Sequence, residues 1–600
     1  MRRRTLLSGA AALMLAPALD AMARSQDPLR RVRPGDPNWP RPEQWQGLAA
    51  RVGDRLVKPQ PVFTACTDPS SAEACSANRK EMFNPFFLGE QVSGTQVSGW
   101  HQAWTPELSA YAILAQNAQD VAQGVNFARE HNLRLVVKGP GHSYLGCSSA
   151  PDSLLIWTRA MNEVTVHDAF KPLGCEKTCE AVPAVSVGGG AIWIDVYHAV
   201  SVVGARYVQG GACTEVGVAG LVQGGGFGSL SQGFGTAGAS LLEAEVITAD
   251  GKIRTVNARR DPDLFWALKG GGGGNFAVVT RVTLKTHDLP SYFGALQVAF
   301  KAQSDQAFRS LLNQFFALYA RNLLNPHWGE QIHVQEDNTL NVSLLSQGLG
   351  EAEMRAAWES LLDWVADPLH GVVLASPFSV TPIPARLYWD LRRRADMGLK
   401  DVNFDHRADA PSWHGWWKRD AAQVGVFLHG FDSVWLPRTL LDPIRQSVLS
   451  DALFDASRAH EVILYFNKGL AGAPAEAIAA ARDTPMNPTV LEAFALAIVV
   501  DGGPPAFPES PFGPPNIATA QKNAAGIAEA MRRLRQVAPR AGSYVAESNF
   551  FNENWRDDYW GEHYARLRRI KSRYDPGGLF ITHHGVGSED WSADGFARRA

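Results

Sequence analysis

Two side chains able to bond an electrophilic carbon sit in glycine loops. His142 lies in Lys138-Gly-Pro-Gly-His-Ser-Tyr-Leu-Gly146, and Cys213 lies in Arg206-Tyr-Val-Gln-Gly-Gly-Ala-Cys-Thr-Glu-Val-Gly-Val-Ala-Gly-Leu-Val-Gln-Gly-Gly-Gly-Phe-Gly228. From Gly204 to Gly235 there are 11 glycines in 32 residues, against about 7% in globular chains. Glycine is costly to order, so this density is expected where backbone bends sharply or lies against something flat. The bland alternatives are a capping histidine, and for Cys213 an inert buried thiol or a disulfide to Cys147.

The elements around both loops read as strands alternating with helices. Asn117-Ala-Gln-Asp120 starts a helix whose Val121, Val125 and Ala128 share one face. Leu133–Lys138 is a short strand that ends at Gly-Pro-Gly, so His142 is presented at a strand end beside backbone N–H groups able to hold phosphate oxygens. Residues 154–157 and 185–187 are further strands, and 192–200 is a helix. Ala244–Val256 reads as a hairpin turning at Asp250-Gly251. Asp263–Leu268 is a short helix, followed by five glycines, Gly270–Gly274, and the strand Phe276–Leu284.

Bulk properties exclude several classes. The 600 residues exceed one ordinary core, so two domains are expected. A net charge of -3 gives no electrostatic case for nucleic acid. The first residues, Met-Arg-Arg-Arg-Thr-Leu-Leu, with an apolar run to Leu19 and Ala21-Met-Ala23, read as a twin-arginine-type signal over 1–23, cleaved on export; an ordinary secretory signal is the alternative. The mature chain is expected in the periplasm or secreted, without stable membrane insertion. In an oxidising compartment, Cys66–Cys75 and Cys175–Cys179 are the economical disulfides. A metal site is not expected, because adjacent His583 and His584 on an extended chain would point apart.

Gly224-Gly-Gly-Phe-Gly228 lacks the Rossmann spacing, and no Walker motif is present. The combination Gly-Pro-Gly-His142-Ser-Tyr, Gly-Gly-Ala-Cys213-Thr-Glu-Val-Gly, Gly-Gly-Gly-Phe-Gly and Asp-Leu-Phe-Trp-Ala-Leu-Lys-Gly-Gly-Gly-Gly-Gly resembles the berberine-bridge-enzyme-like branch of the vanillyl-alcohol-oxidase superfamily. The C-terminal Trp560-Gly-Glu-His-Tyr564-Ala-Arg-Leu567 and Ile570-Lys-Ser-Arg-Tyr-Asp-Pro-Gly-Gly-Leu-Phe580 resemble the family's closing signature.

The resemblance implies an α+β fold with a split, PCMH-type FAD-binding domain. Residues 106–290 would form its first part and 536–600 its C-terminal part. A substrate domain would occupy 291–535, an antiparallel sheet flanked by helices that covers the ring opposite the glycine loops. Residues 24–105 are proline-rich and are expected to wrap the surface. FAD would be held bicovalently, by His142 at the 8α carbon and Cys213 at C6. Gly139, Gly141, Ser143, Tyr144, Val216, Gly217, Gly220, Gly224, Gly225, Gly226, Phe227, Gly228, Val278 and Tyr564 would surround it. The sequence departs from the family at Thr214-Glu215, Ala239-Ser240, His563 and Ala546.

The implied chemistry is loss of a proton from an alcohol oxygen and transfer of a hydride from its carbon to the flavin. Tyr544 is the expected base, with Lys468 as the cation that lowers its pKa. Val216 occupies the family position associated with oxygen access, which favours O2 as acceptor. The expected substrate is a small alcohol or sugar, with Trp328, Trp389, Trp413, Trp416 and Trp417 as stacking surfaces. The rival readings are a dehydrogenase passing electrons to a quinone or cytochrome, and a flavin-binding protein without turnover.

Overall fold

The computed structural model describes residues 30–599 apart from Glu176, Glu509 and the side chain of Pro69; the segment 1–23, read above as an export signal, lies outside the described residues. A four-stranded sheet presents the first glycine loop. Its strands Tyr111–Leu114, Ser153–Trp157 and Arg134–Lys138 are parallel, with Leu56–Val57 antiparallel at one edge. The helix Ala118–Glu130 covers it, capped by Asn117, whose side chain accepts the Asp120 N–H at 3.0 Å. Val121, Val125 and Ala128 are buried as the periodicity predicts. At Gly124 a Cβ would come within 2.7 Å of Ile113 Cδ1, so the helix lies closer to the sheet than any side chain would permit.

The expectation that residues 24–105 merely wrap the surface is corrected. Trp45 and Leu48 of the helix Pro42–Arg51 are buried against the first sheet's helix. Lys138, at the strand end before the loop, is buried and donates to the carbonyls of Gln91, Val92 and Gly94 at 2.8, 2.5 and 2.9 Å. Burial pushes its pKa down to about 7. The extension thus anchors the Gly-Pro-Gly turn from beneath.

A second, antiparallel sheet runs Val164–Phe170, Val182–Gly188, Val278–Asp288, Leu241–Ile247, Ile253–Asn257, with Arg206–Val208 also paired to Val278–Asp288. Its hairpin turns at Gly251, φ 75°. The glycine density of the second loop has a packing cause here. A Cβ at Gly210 would lie 2.2 Å from Trp193 Cζ3, and Trp193 is fully buried.

The inserted segment forms a seven-stranded antiparallel sheet. Its order is Val372–Pro384, Tyr292–Ala302, Thr339–Gln347, Trp328–Val334, Val462–Tyr465, Ala493–Gly503, Phe427–Pro437. Helices Asp305–Leu318, Gln446–Ser457 and Ile517–Val537 bury their apolar faces in this segment's core. No helix among the described residues is long and apolar enough to cross a membrane. Both disulfides form, Cys66–Cys75 and Cys175–Cys179, while Cys147 and Cys213 are free thiols.

Residues 385–423 leave this sheet and pack on the glycine-rich half. Trp389 stacks on Tyr197 at 3.9 Å, Trp413 Nε1 donates to Asp195 at 3.0 Å, and Trp417 Nε1 donates to the Ala212 carbonyl at 2.9 Å. None of Trp328, Trp389, Trp413, Trp416 or Trp417 lines the central cavity, which corrects their expected role as substrate platforms. Trp389, Trp416 and Trp417 are instead buried, and Trp413 half-buried, in the packing between the arm and the glycine-rich half, and Trp328 is buried in the insert's core.

Candidate functional site

A cavity of about 600 Å3 opens between the glycine loops and the inserted sheet. Gly139, Gly141, His142, Ser143 and Tyr144 line it from the first loop, and Cys213, Val216, Gly217, Gly220, Gly224 and Phe227 from the second. Gly272–Gly274 and the C-terminal stretch 580–585 complete that side, while 544–547 line the cavity beside the insert. Opposite stand Glu330, Gln331, Phe431, Tyr465, Asn467, Lys468, Ile498 and Val500 of the insert, and Tyr544 lines it from the C-terminal segment.

Five expected cofactor contacts do not line the cavity. A Cβ at Gly225 would meet Met486 Sδ at 2.3 Å, at Gly226 Leu221 Cδ2 at 2.3 Å, and at Gly228 the Gly210 carbonyl at 1.7 Å. These glycines let the chain turn under the cavity; Gly225 and Gly226 take φ 96° and 72°. Val278 is buried in the core shared with the first sheet. Tyr564 stacks on Trp560 and donates to Glu589 at 2.5 Å.

The residues present fit a flavin dinucleotide. At Gly220 a Cβ would have nothing within 4 Å, and at Gly273 its nearest neighbour would be Gly220 Cα at 3.9 Å. Both glycines line the cavity, and at each the missing side chain leaves open a slot that a larger residue would fill. Gln223 Oε1 is buried beside it with no partner among the described residues, an acceptor that an added ligand would satisfy.

The tether candidates have different electrostatic settings. His142 Nε2 lies 3.8 Å from Glu215 Oε1. Burial drives the imidazole down to about 4 and lifts the Glu215 carboxyl to about 7, so near neutrality the histidine is an uncharged nucleophile. The Cys213 thiol is 3.5 Å from Asp420 Oδ2 and its pKa is pushed far up, by burial first and then by Asp420 and Glu215. Asp420 is itself raised by burial, with Arg419 opposing the shift. Glu330 is held at φ 74°, a strained value for a non-glycine residue. One of its buried oxygens lies 3.4 Å from Arg419 and the other has no partner among the described residues.

The cation expected beside Tyr544 is elsewhere. The strand Val462–Tyr465 stops short of Lys468, and Phe466–Lys468 is a 3-10 turn. Residues i and i+3 eclipse in such a turn, so Lys468 Nζ sits 4.0 Å over the Tyr465 ring and pairs with Glu547 at 2.5 Å. Tyr544 stands edge-on to Phe227 at 5.1 Å, with its hydroxyl against the Gly224–Gly226 backbone. Burial raises both phenols well above their ordinary value. His583 and His584 are also placed differently from expectation. With His584 at φ 51°, the rings lie 3.9 Å apart, His583 stacked on Phe550 and His584 on Trp555.

Sequence reasoning missed Asp420, Arg419, Glu330 and Glu547, and left Gly272–Gly274 unassigned. Glu215 and Glu547 each lie within three residues of a predicted site residue and were within reach. The insert's carboxylates carried no motif.

A glycine-lined half bearing an imidazole and a thiol, roofed by an antiparallel sheet, defines a flavin-binding oxidoreductase of split-domain type. Residues 109–257 match the FAD binding domain family, and 543–587 the berberine and berberine-like family. The FAD-linked oxidoreductase penH of Penicillium thymicola is 29% identical over 95% of this chain and 95% of its own. The VAO-type flavoprotein oxidase VAO615 of Thermothelomyces thermophilus is 27% identical over 96% of each chain. Among solved structures, the VAO-type flavoprotein MtVAO713 of Myceliophthora thermophila aligns with a TM-score of 0.77 and 20% identity over 96% of this chain and all of that one. Glucooligosaccharide oxidase of Acremonium strictum, a protein with a 6-S-cysteinyl, 8α-N1-histidyl FAD, aligns at 0.58 and 20% over 80% and 92%. The chain thus carries an FAD binding domain and a berberine-like C-terminal segment, and it is similar over nearly its whole length to FAD-linked oxidoreductases and VAO-type flavoproteins.

Proposed function

We propose that the protein is an exported oxidase that takes a hydride from the carbon of an alcohol or carbohydrate hydroxyl and passes the electrons to O2, giving H2O2. The observation that carries this reading is the juxtaposition, across one cavity, of His142 and Cys213 on the glycine side with Tyr465, Lys468 and Glu547 on the other. His142 and Cys213 would hold FAD at the 8α carbon and C6, as reported for the Acremonium oxidase. Bound FAD supplies the two-electron acceptor.

The chain supplies proton handling and orientation. Lys468 and Glu547 are ion-paired beside the Tyr465 phenol, so the hydroxyl proton has an acceptor group whose charge is balanced before substrate arrives. Gln331 and Asn467 add hydrogen-bonding groups for further hydroxyls. The arginine-rich leader supports export to a periplasm or medium, a route compatible with cofactor loading before translocation.

The test is anaerobic mixing of the purified protein with a panel of alcohols and saccharides. Bleaching of the flavin, followed on aeration by one H2O2 per flavin, is the expected result. A flavin that no member of the panel bleaches would leave only a binding protein. Bleaching reversed by a quinone but not by O2 would make it a dehydrogenase.

A further inference from the structure

The inserted segment reaches across to the thiol of the glycine-rich half. The 3-10 turn Lys418–Gln423 follows the strand Gly415–Trp417. It is held in register by Trp417, whose indole donates to the carbonyl of Ala212, the residue before Cys213. On its other flank Arg419 lies 3.4 Å from Glu330 and 3.7 Å from Asp420. These contacts leave Asp420 Oδ2 at 3.5 Å from Cys213 Sγ, within the range of a thiol hydrogen bond.

We propose that Asp420 is the proton acceptor for formation of the bond between Cys213 and the flavin. The proposal rests on the bicovalent reading above. The step balances as thiol, oxidised ring and O2 giving thioether and H2O2. The S–H and C6–H bonds break and the C6–S bond forms. The thiol proton goes to the Asp420 carboxylate, and the two electrons released leave to O2 with both protons. A thiol this buried does not ionise unaided near neutrality, and thiolate is the attacking form. Asp420 is the carboxylate in hydrogen-bond contact with the sulfur; Glu215, two residues along, faces His142. Because the acceptor comes from the insert and the thiol from the other half, attachment at Cys213 requires the arm 385–423 to be docked. Cofactor linkage then reports correct assembly of the two halves.

The experiment uses the full-length flavoprotein and reads the linkage itself. With His142→Ala as background, Cys213 is the remaining tether, and flavin retained in acid-precipitated protein measures it. The expected result is a yellow pellet for His142→Ala. The double variant His142→Ala, Asp420→Asn should give a colourless pellet, with Cys213 found alkylated by iodoacetamide in peptide mass spectra. Asp420→Glu should restore the linkage. On the otherwise wild-type chain, Asp420→Asn should still carry flavin on His142, which establishes that the site is folded, while linkage at Cys213 proceeds about 100-fold more slowly. Unchanged linkage of Cys213 in Asp420→Asn, or its loss in Glu215→Gln instead, would overturn the proposal. A wild-type protein whose Cys213 is fully alkylated would remove the bicovalent reading and this proposal with it.

Discussion

His142 Nε2 and Glu215 Oε1 stand 3.8 Å apart, yet they are not an ion pair near neutrality. Burial holds the imidazole neutral down to about pH 4 and the carboxyl protonated up to about pH 7. For Glu215 the folded value lies above the ordinary 4.5, so its contribution is complete below pH 4.5 and is lost as pH rises through about 7. Glu215→Gln removes that loss. In flavin-free protein from riboflavin-starved cells, the variant is expected to match wild type at pH 4.5 and to exceed it above pH 7 by on the order of 3 kcal/mol. Denaturant unfolding at both pH values checks this, and equal gains at both would contradict it.

The two tethers make a separate, visible prediction. His142→Ala and Cys213→Ala should each keep flavin in the acid pellet through the surviving bond, and the double variant should release all of it to the supernatant. A colourless wild-type pellet would show that neither bond exists.

Two glycines of one loop are expected to respond in opposite ways. Gly220 faces the open slot, where a Cβ meets nothing within 4 Å. Gly220→Leu should leave thermal unfolding of the flavin-free protein unchanged while flavin content falls at least about tenfold, since a single misfit removes well over 1.4 kcal/mol of binding. Gly228 does not line the cavity, and a Cβ there would sit 1.7 Å from the Gly210 carbonyl. Gly228→Ala should therefore destabilise the fold by about 3 kcal/mol before any effect on the site is measurable. Absorbance ratios at the flavin and protein bands, read beside melting curves, separate the cases.

These contrasts mark what was legible in the sequence. His142 and Cys213 sit in local motifs, so residue type and spacing sufficed to place both on the cavity. The helix over 118–130 was legible from its cap and its apolar stripe. Glycine count alone could not separate Gly220 from Gly228, because one is small for a ligand and the other for its own backbone. Lys468 was misplaced by a turn three residues long, which converts strand alternation into eclipse. Asp420 comes from an arm about 200 positions away in sequence, and no local pattern encodes such a long-range contact. The five tryptophans misled because an aromatic serves packing and stacking with the same surface.

The last prediction concerns proton removal from substrate. Lys468 Nζ binds Glu547 at 2.5 Å and lies 4.0 Å over Tyr465, whereas Tyr544 has its hydroxyl turned to the Gly224–Gly226 backbone. Burial and the carboxylates of Glu547, Asp420 and Glu330 push the Tyr465 phenol up, and the ammonium against its ring is the charge that works the other way, favouring the phenolate. Tyr465→Phe and Lys468→Met should each slow anaerobic flavin bleaching by about 100-fold, the usual worth of a positioned acid–base group. Tyr544→Phe should slow it far less. Lys468→Met should also shift the pH dependence of bleaching upward, since the group that takes the proton loses the charge that lowers its pKa. A larger loss in Tyr544→Phe than in Tyr465→Phe would return the task to Tyr544 and leave the Lys468–Glu547 pair as a frame around the substrate.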